Sequence, residues 1–170
     1  MVAEPWIEVV PLPDADGDAG FSGAVGLARR VAERAAWRAI VRRRLGLADD
    51  SAIGYNKNGA PILRGEFGGK GGKGGNGGTG GTGGELGYIG VSHTRGWVAV
   101  VWSPAPCAID IELRTRTLSP AVAARYSIGS MEEWCALEAE YKFTGLTGRR
   151  PDPGSVRLLP HPELIVAVIP

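Results

Sequence analysis

Two carboxylates stand two residues apart in a short apolar run, Ala108-Ile109-Asp110-Ile111-Glu112. Successive side chains of a strand alternate faces, so Asp110 and Glu112 share one face and the isoleucines the other. Neighbouring carboxylates repel each other unless a proton or cation lies between them. Such oxygen ligands suit Mg²⁺, which keeps water and phosphate in its other positions. The pair therefore predicts phosphate chemistry, and the alternative is a solvated edge strand with polar residues outward.

Two further sets of side chains carry candidate chemistry. His93 lies at the mouth of a hairpin predicted around residues 94–96, where functional side chains are common, although a lone histidine is more often structural. Trp134, Glu138 and Lys142 recur every four residues and therefore share one helix face. The alternative for this face is a surface ion pair between Glu138 and Lys142 beside a buried tryptophan.

Composition bounds the class of protein. The chain has 170 residues, 44% of them hydrophobic, and a formal net charge of +1, which fits one compact domain or two small lobes. The charge gives no general signal for nucleic acid or membrane. Cys107 and Cys135 form no metal or disulfide pattern, and neither a secretory signal nor a membrane-spanning run is visible. We expect a cytoplasmic monomer with buried thiols and without a nucleic-acid or membrane partner.

Apolar periodicity and turn residues predict the elements that position these side chains. Pro104 and Pro106 predict a boundary between an N-terminal half, 1–103, and a C-terminal half, 104–170. The two halves have related layouts, which predicts a pseudo-duplicated α+β fold. The predicted strands span 6–12, 53–55, 60–63, 88–92, 96–103, 107–113, 156–159 and 163–169, and the predicted helices span 23–45, 118–126 and 131–143, the last ending at Gly145.

A glycine-rich segment interrupts the first half at about 65–87. From 68 to 84 it repeats Gly-Gly-x, with Lys70 and Lys73 among the x residues. It offers almost no apolar surface to offset the backbone entropy of glycine, which predicts a disordered insertion acting as a spacer. No phosphate-binding loop of the Gly-x-x-x-x-Gly-Lys-Ser/Thr kind is present.

The helix predicted at 23–45 carries a row of arginines. One acid, Glu33, accompanies them, so the row is either a solvated face or a surface for an anionic partner. The expected apolar side consists of Leu27, Val31, Ala35, Ile40, Val41 and Leu45, and the arginines are Arg29, Arg30, Arg34, Arg38, Arg42, Arg43 and Arg44.

Four segments in order resemble the 4′-phosphopantetheinyl transferases of the surfactin-synthetase type. Those enzymes carry Gly-Lys-Pro, Asn-x-Ser-His-Ser/Thr, Gly-Ile-Asp-x-Glu and Trp-x-x-Lys-Glu-Ala-x-x-Lys. The resemblance runs from about 58 to 145, and 156–168 is similar to the closing strands of the family. The corresponding segments here are GAPIL at 59–63, GVSHT at 90–94, AIDIE at 108–112 and WCALEAEYK at 134–142.

The resemblance implies transfer of 4′-phosphopantetheine from coenzyme A to a serine of an acyl or peptidyl carrier protein. It also implies a pseudo-dimer of two α+β halves with coenzyme A in the cleft between them. By position, Asp110, Glu112 and Glu138 would hold Mg²⁺, and Asp110, Glu138 and Lys142 would be catalytic. Glu138 or a metal-bound water would take the proton from the serine.

The same resemblance implies contacts to coenzyme A. Lys142 would contact the phosphates, and Ser92 with His93 would hold the phosphate at the nucleotide end. Arg43 and Arg44 of the long helix would suit the 3′-phosphate or an acidic carrier protein. Lys57 is the candidate replacement for the lysine of Gly-Lys-Pro.

Three departures from the family pattern favour an alternative function. Leu137 and Ala60 stand where the family has lysines, and the segment 113–133 is short. Losing a cation that faces a transition-state phosphate costs about 100-fold or more in rate. The alternative is a weakened or inactive relative that binds coenzyme A or a carrier protein. A glycine-rich RNA-binding module ranks last, because aromatic residues for base stacking are not interleaved with its lysines.

Overall fold

A computed structural model describes residues 4–12, 23–65 and 85–170 of the chain. The fold is α+β with antiparallel sheets, as predicted. All eleven predicted elements are present; the helix at 23–45 and the strand at 53–55 have the predicted bounds, and the others differ by one to four residues at their ends. The strands are β1 (Trp6–Pro11), β2 (Ile53–Tyr55), β3 (Pro61–Arg64), β4 (Glu85–Thr94), β5 (Trp97–Ser103), β6 (Ala108–Leu113), β7 (Arg157–Leu159) and β8 (Leu164–Ile169), and the helices are α1 (Gly23–Leu45), α2 (Pro120–Tyr126) and α3 (Met131–Thr147).

The first sheet contains every described strand before residue 104, in the order β1-β5-β4-β3-β2. Its centre is the β4–β5 hairpin, which turns at Gly96 with a φ of 73°, a conformation that glycine adopts without steric cost. Side chains of β5 alternate between two cores. Val98, Val100 and Trp102 pack on the α1 side, whereas Ala99 and Val101 pack against the second sheet. The predicted burial of this strand on both faces is confirmed.

Helix α1 buries the C-terminal part of its predicted apolar side, Ile40, Val41 and Leu45, but not the N-terminal part. Trp37, Ile40 and Val41 pack on the first sheet, but Leu27 and Val31 are 59% and 61% exposed. The apolar side predicted for the N-terminal turns is therefore wrong. The described α1 side chains that pack in this core begin at Ala36, so the turns before Ala36 extend beyond the apolar surface of the sheet.

The second sheet, β6-β8-β7, is covered by α3. Ser130 caps the start of α3 by accepting from the backbone N–H of Glu133, as N-cap serines do. The helix ends at Gly148, which has a φ of 75°, and the predicted end at Gly145 is wrong. Gly145 lies inside the helix, because the left-handed residue that ends it comes one turn later.

The two sheets meet where β4 runs beside β6. A Cβ added to Gly90 would lie 2.6 Å from Cγ1 of Val101 and 3.3 Å from backbone atoms of Ala108 and Ile109. Two residues on, the backbone N–H of Ile111 donates to Oγ of Ser92 at 3.3 Å. Glycine at position 90 therefore allows the close approach of the two strands.

We expect Gly90→Ala to lower the free energy of unfolding by about 2 kcal/mol, since backbone on β6 cannot yield to the added methyl group. The measurement is urea unfolding. Gly145→Ala is the matched control, because nothing lies within 4 Å of its added Cβ, and alanine there should stabilise the helix by up to about 1 kcal/mol. Equal stabilities of the two variants would contradict a tight junction at Gly90.

Several predictions fall partly or wholly on residues outside the described ranges. The Gly-Gly-x repeat with Lys70 and Lys73 lies there, and so does most of the predicted insertion. The predicted insertion was too long at its C-terminal end, because 85–87 belong to β4. Among the described helices, none combines the length and apolar character needed to cross a bilayer.

Candidate active site

The Asp110 and Glu112 side chains are buried, at 6% and 7% exposure. Ile109 and Ile111 pack towards the first sheet, so the carboxylates share the other face of β6, as the alternation predicted. The alternative of a solvated edge strand is wrong. Although β6 is an edge strand of its own sheet, α3 covers one of its faces and β4 runs alongside it.

Lys142 of α3 connects Asp110 to β4. Its Nζ lies 2.7 Å from Oδ1 of Asp110, 3.0 Å from Oγ of Ser92 and 3.2 Å from the carbonyl oxygen of Ile109. Ser92, also buried, donates to the same Oδ1 at 2.9 Å. Three residues from different predicted motifs thus form one cluster. Lys142 forms a partly buried ion pair with Asp110, and not the surface ion pair with Glu138 that the alternative interpretation expected.

The second carboxylate oxygen of Asp110 is the unusual atom of the cluster. Oδ2 is buried and has no hydrogen-bond partner within residues 4–12, 23–65 and 85–170. An unpaired buried carboxylate oxygen is costly. A cation or hydrogen-bond donor bound there would be stabilised, and the thiol of Cys135 lies near the same carboxylate.

Glu138, one turn before Lys142 on α3, lies within electrostatic range of both β6 carboxylates. Burial raises the pKa of the Glu138 carboxyl, and the negative charge of Asp110 raises it further, while Lys142 lowers it in part. The carboxylates nevertheless do not form a ready metal site. In the part of the chain that the structure describes, no three His, Cys, Asp or Glu side chains are grouped so that they could hold a metal ion.

Glu112 already has a cationic partner that the sequence analysis missed. Nη1 of Arg116 lies 2.8 Å and 2.7 Å from the two carboxylate oxygens of Glu112. Arg116 lies three residues after the end of β6, and spacing along the chain gave no signal for this pair. The backbone turn that brings them together is closed by the Arg116 N–H donating to the Leu113 carbonyl.

His93 is not brought together with Ser92. Adjacent residues of a strand point to opposite faces, so Ser92 faces β6 and His93 faces α1. There Nε2 of His93 lies 3.1 Å from a carboxylate oxygen of Glu33, which is itself buried and also accepts from Arg29. The placement gives His93 a partner on the far side of the sheet from Lys142.

The remaining predicted coenzyme A ligands also lie apart from the cluster. Arg43 and Arg44 both pair with Glu8 of β1, which accounts for two of the seven arginines that the sequence left without an acid. Lys57 is exposed in the turn between β2 and β3. Its neighbour Asn58, not predicted to matter, donates from Nδ2 to the carbonyl of Gly145 at 2.7 Å and so ties this turn to α3.

A cleft of about 320 Å³ runs from this turn to Lys142. This volume is within the usual range for small-molecule sites, about 300–1,000 Å³. Its walls come from three of the four segments singled out in the sequence, around Gly59, Gly90 and Ala108, and from the fourth through Lys142. Further lining residues are Asn58, Ala60, Pro61, Ile89, Val91, Cys107, Ile109, Tyr141, Gly145 and Leu146.

Cys107 lines this cleft and is nevertheless expected to resist alkylation. Burial raises the pKa of its thiol to about 12, so at pH 8 only about one molecule in ten thousand carries the thiolate that reacts. Iodoacetamide labelling read by mass spectrometry should leave the native chain unmodified while both cysteines react in urea. Rapid labelling of native Cys107 at pH 8 would contradict the burial of the thiol.

No protein-family model, curated protein or solved structure matches this chain.

Proposed function

We propose that this chain transfers 4′-phosphopantetheine from coenzyme A to a serine of an acyl or peptidyl carrier protein, in a fold of two pseudo-duplicated α+β halves. The single observation that carries the proposal is convergence. Segments around Gly59, Gly90 and Ala108, far apart in sequence, line one cleft together with Lys142, and Lys142 also joins Ser92 and Asp110 in one charged cluster.

The reaction requires one bond to form and one to break. The serine oxygen bonds to the phosphorus nearer the pantetheine, and the bond from that phosphorus to the nucleotide-side phosphate breaks. Lys142 lines the cleft and would supply positive charge to the phosphates, and one of its hydrogen bonds to Ser92, Ile109 or Asp110 would have to be released for it to donate to them. Glu138 is the base for the serine proton, and burial with the Asp110 charge supplies a raised pKa, which is suited to proton uptake nearer neutral pH.

The residues fit a magnesium ion in part. The buried, unpartnered Oδ2 of Asp110 is a suitable ligand atom, and Glu138 lies close enough for its pKa to respond to Asp110. Glu112, the third predicted ligand, is held by Arg116. A Mg²⁺ ion held by Asp110 and Glu138 would neutralise negative charge on the leaving phosphate.

The second candidate function is a weakened or inactive relative that binds coenzyme A or a carrier protein. Leu137 and Ala60 occupy the positions where the family has cations, and Ala60 lines the cleft itself. The favouring observation is that the described cleft draws its positive charge from Lys142 alone among its lining residues.

One experiment separates the two functions. The full chain is incubated with coenzyme A, Mg²⁺ and several apo carrier proteins, and carrier mass is followed. Calorimetry with coenzyme A and Mg²⁺ is run in parallel. Mass gain supports the transferase, whereas binding without mass gain supports the inactive relative. Neither binding nor transfer would overturn both.

Arg116→Gln is expected to strengthen metal binding by about two- to fivefold, because the exposed guanidinium competes for Glu112 with an energy typical of partly exposed ion pairs. The measurement is titration with Mn²⁺, a paramagnetic substitute for Mg²⁺, followed by electron paramagnetic resonance without coenzyme A. Arg114→Gln is the control, since its contact with Glu132 is 3.9 Å long and lies outside the cluster. Equal affinities of the two variants would rule out competition by Arg116.

A further inference from the structure

Helix α1 presents an apolar ridge to solvent beside a row of arginines. Leu27 and Val31 lie one turn apart and are more than half exposed. Ala35 continues the ridge and is also exposed. Arg30, Arg34, Arg38 and Arg42 run parallel to it, and together with Asp50 these side chains line a groove of about 480 Å³. Exposed aliphatic residues at helical spacing are uncommon on a face that has no partner.

The two ends of this groove differ in charge. Arg38 and Arg42 lie 3.0 Å and 3.5 Å from the carboxylate of Asp50. Arg30 and Arg34 make no ion pair with any residue in the ranges 4–12, 23–65 and 85–170. The ridge therefore ends beside cations that have no acid of the described chain to neutralise them.

We propose that this face of α1 binds an acidic amphipathic helix of a partner protein. Such a helix would lay its apolar stripe on Leu27 and Val31 and place carboxylates against Arg30 and Arg34, the groove mode of peptide recognition. The surface from Leu27 to Arg42 is about four helical turns long, so one short helix covers it.

A nucleic acid fits the same face less well. Two exposed aliphatic side chains make no favourable contact with a phosphate backbone. Among the described residues that line the groove, none is an aromatic on which bases could stack. The Asp50 carboxylate at one end would repel a polyanion, whereas a helix with mixed apolar and acidic residues can avoid it.

The proposed surface is separate from the cleft. Trp37, Ile40 and Val41 attach α1 to the sheet face that carries Val98, Val100 and Trp102, and the cleft opens on the β6 side. The partner helix would therefore contact a face away from the cleft, and its binding can be measured without the transferase activity.

The test uses the full chain and a fluorescein-labelled synthetic helix of about four turns, with leucines along one stripe and glutamates beside it. Binding is followed by fluorescence anisotropy at an ionic strength of about 0.15 M. We expect saturable binding that Leu27→Ser/Val31→Ser and Arg30→Gln/Arg34→Gln each weaken about tenfold or more. Arg149→Gln/Arg150→Gln, an equal loss of charge on the exposed loop after α3, should leave it unchanged.

Four outcomes would overturn the proposal. A probe with serines for leucines could bind as tightly, or the control variant could weaken binding as much, which would show unspecific charge attraction. A short DNA duplex could compete better than the helix, which would assign the face to nucleic acid. The probe could bind only to the Asp14→Asn/Asp16→Asn/Asp18→Asn variant, which would assign the face to the chain's own acidic segment.

Discussion

Lys142→Met is expected to lower the free energy of unfolding by about 3 kcal/mol, the lower end of the range for removing one partner of a buried ion pair. The lower end applies because the Lys142 side chain is about a third exposed while that of Asp110 is 8% exposed. The variant leaves the Asp110 carboxylate buried without its cation and removes a donor to Ser92. Urea unfolding at pH 7 measures the loss.

The control is the neighbouring residue on the same helix. Tyr141 is 76% exposed, and Tyr141→Ala should change stability by about 0.5 kcal/mol or less. A double-mutant cycle isolates the pair itself. In an Asp110→Asn background the cost of Lys142→Met should fall, because no buried charge then remains unpaired. A cost that is equal in both backgrounds would mean that Lys142 does not stabilise the fold through Asp110.

If the chain is the proposed transferase, Asp110→Asn is expected to lower the rate of phosphopantetheine transfer by about 100- to 1,000-fold, the effect of losing a key electrostatic group in an active site. Asparagine retains an Oδ1 that can accept from Ser92, so the hydrogen bond between β4 and β6 is preserved. It removes the charge that holds Lys142 and the anionic oxygen that has no partner. Initial rates of carrier mass gain measure the effect.

Asp152→Asn is the matched control for this prediction, since it makes the same chemical change at an exposed position in the loop after α3. Circular dichroism establishes that both variants are folded before rates are compared. Transfer by Asp110→Asn within tenfold of the unaltered chain would exclude Asp110 from the reaction. The proposed transferase function would then need a different charged group at the cleft in the role given to Asp110.

The local sequence predicted most of the secondary structure. The continuous apolar run of β5 and the alternation along β6 are strong signals, because β5 is buried on both faces and β6 places its isoleucines on one face. The helix at Gly23–Leu45 was predicted at its observed bounds, since an uninterrupted helical composition ends at a glycine. The end of α3 was not, because the sequence offers Gly145 and Gly148 and only the backbone conformation distinguishes them.

In the candidate site, too, the sequence could select residues but could not predict their contacts. Asp110, Glu112 and Lys142 could be selected from the sequence, because carboxylate spacing and helix spacing are local properties. Local spacing could not reveal that Lys142 reaches Asp110 and Ser92 rather than Glu138. Nor could it place His93 beside Glu33, or give Arg43 and Arg44 their partner in Glu8.

The sequence by itself therefore determined the strands, the helices and which side chains share a face, since alternation and helical periodicity act over a few residues. The tertiary structure alone decided which faces meet. Gly90 lets β4 approach β6, and that approach places Ser92, Asp110 and Lys142 within hydrogen-bonding distance although up to 50 residues separate them. The physical reason is that such contacts depend on how two sheets pack, and no short stretch of sequence contains that information.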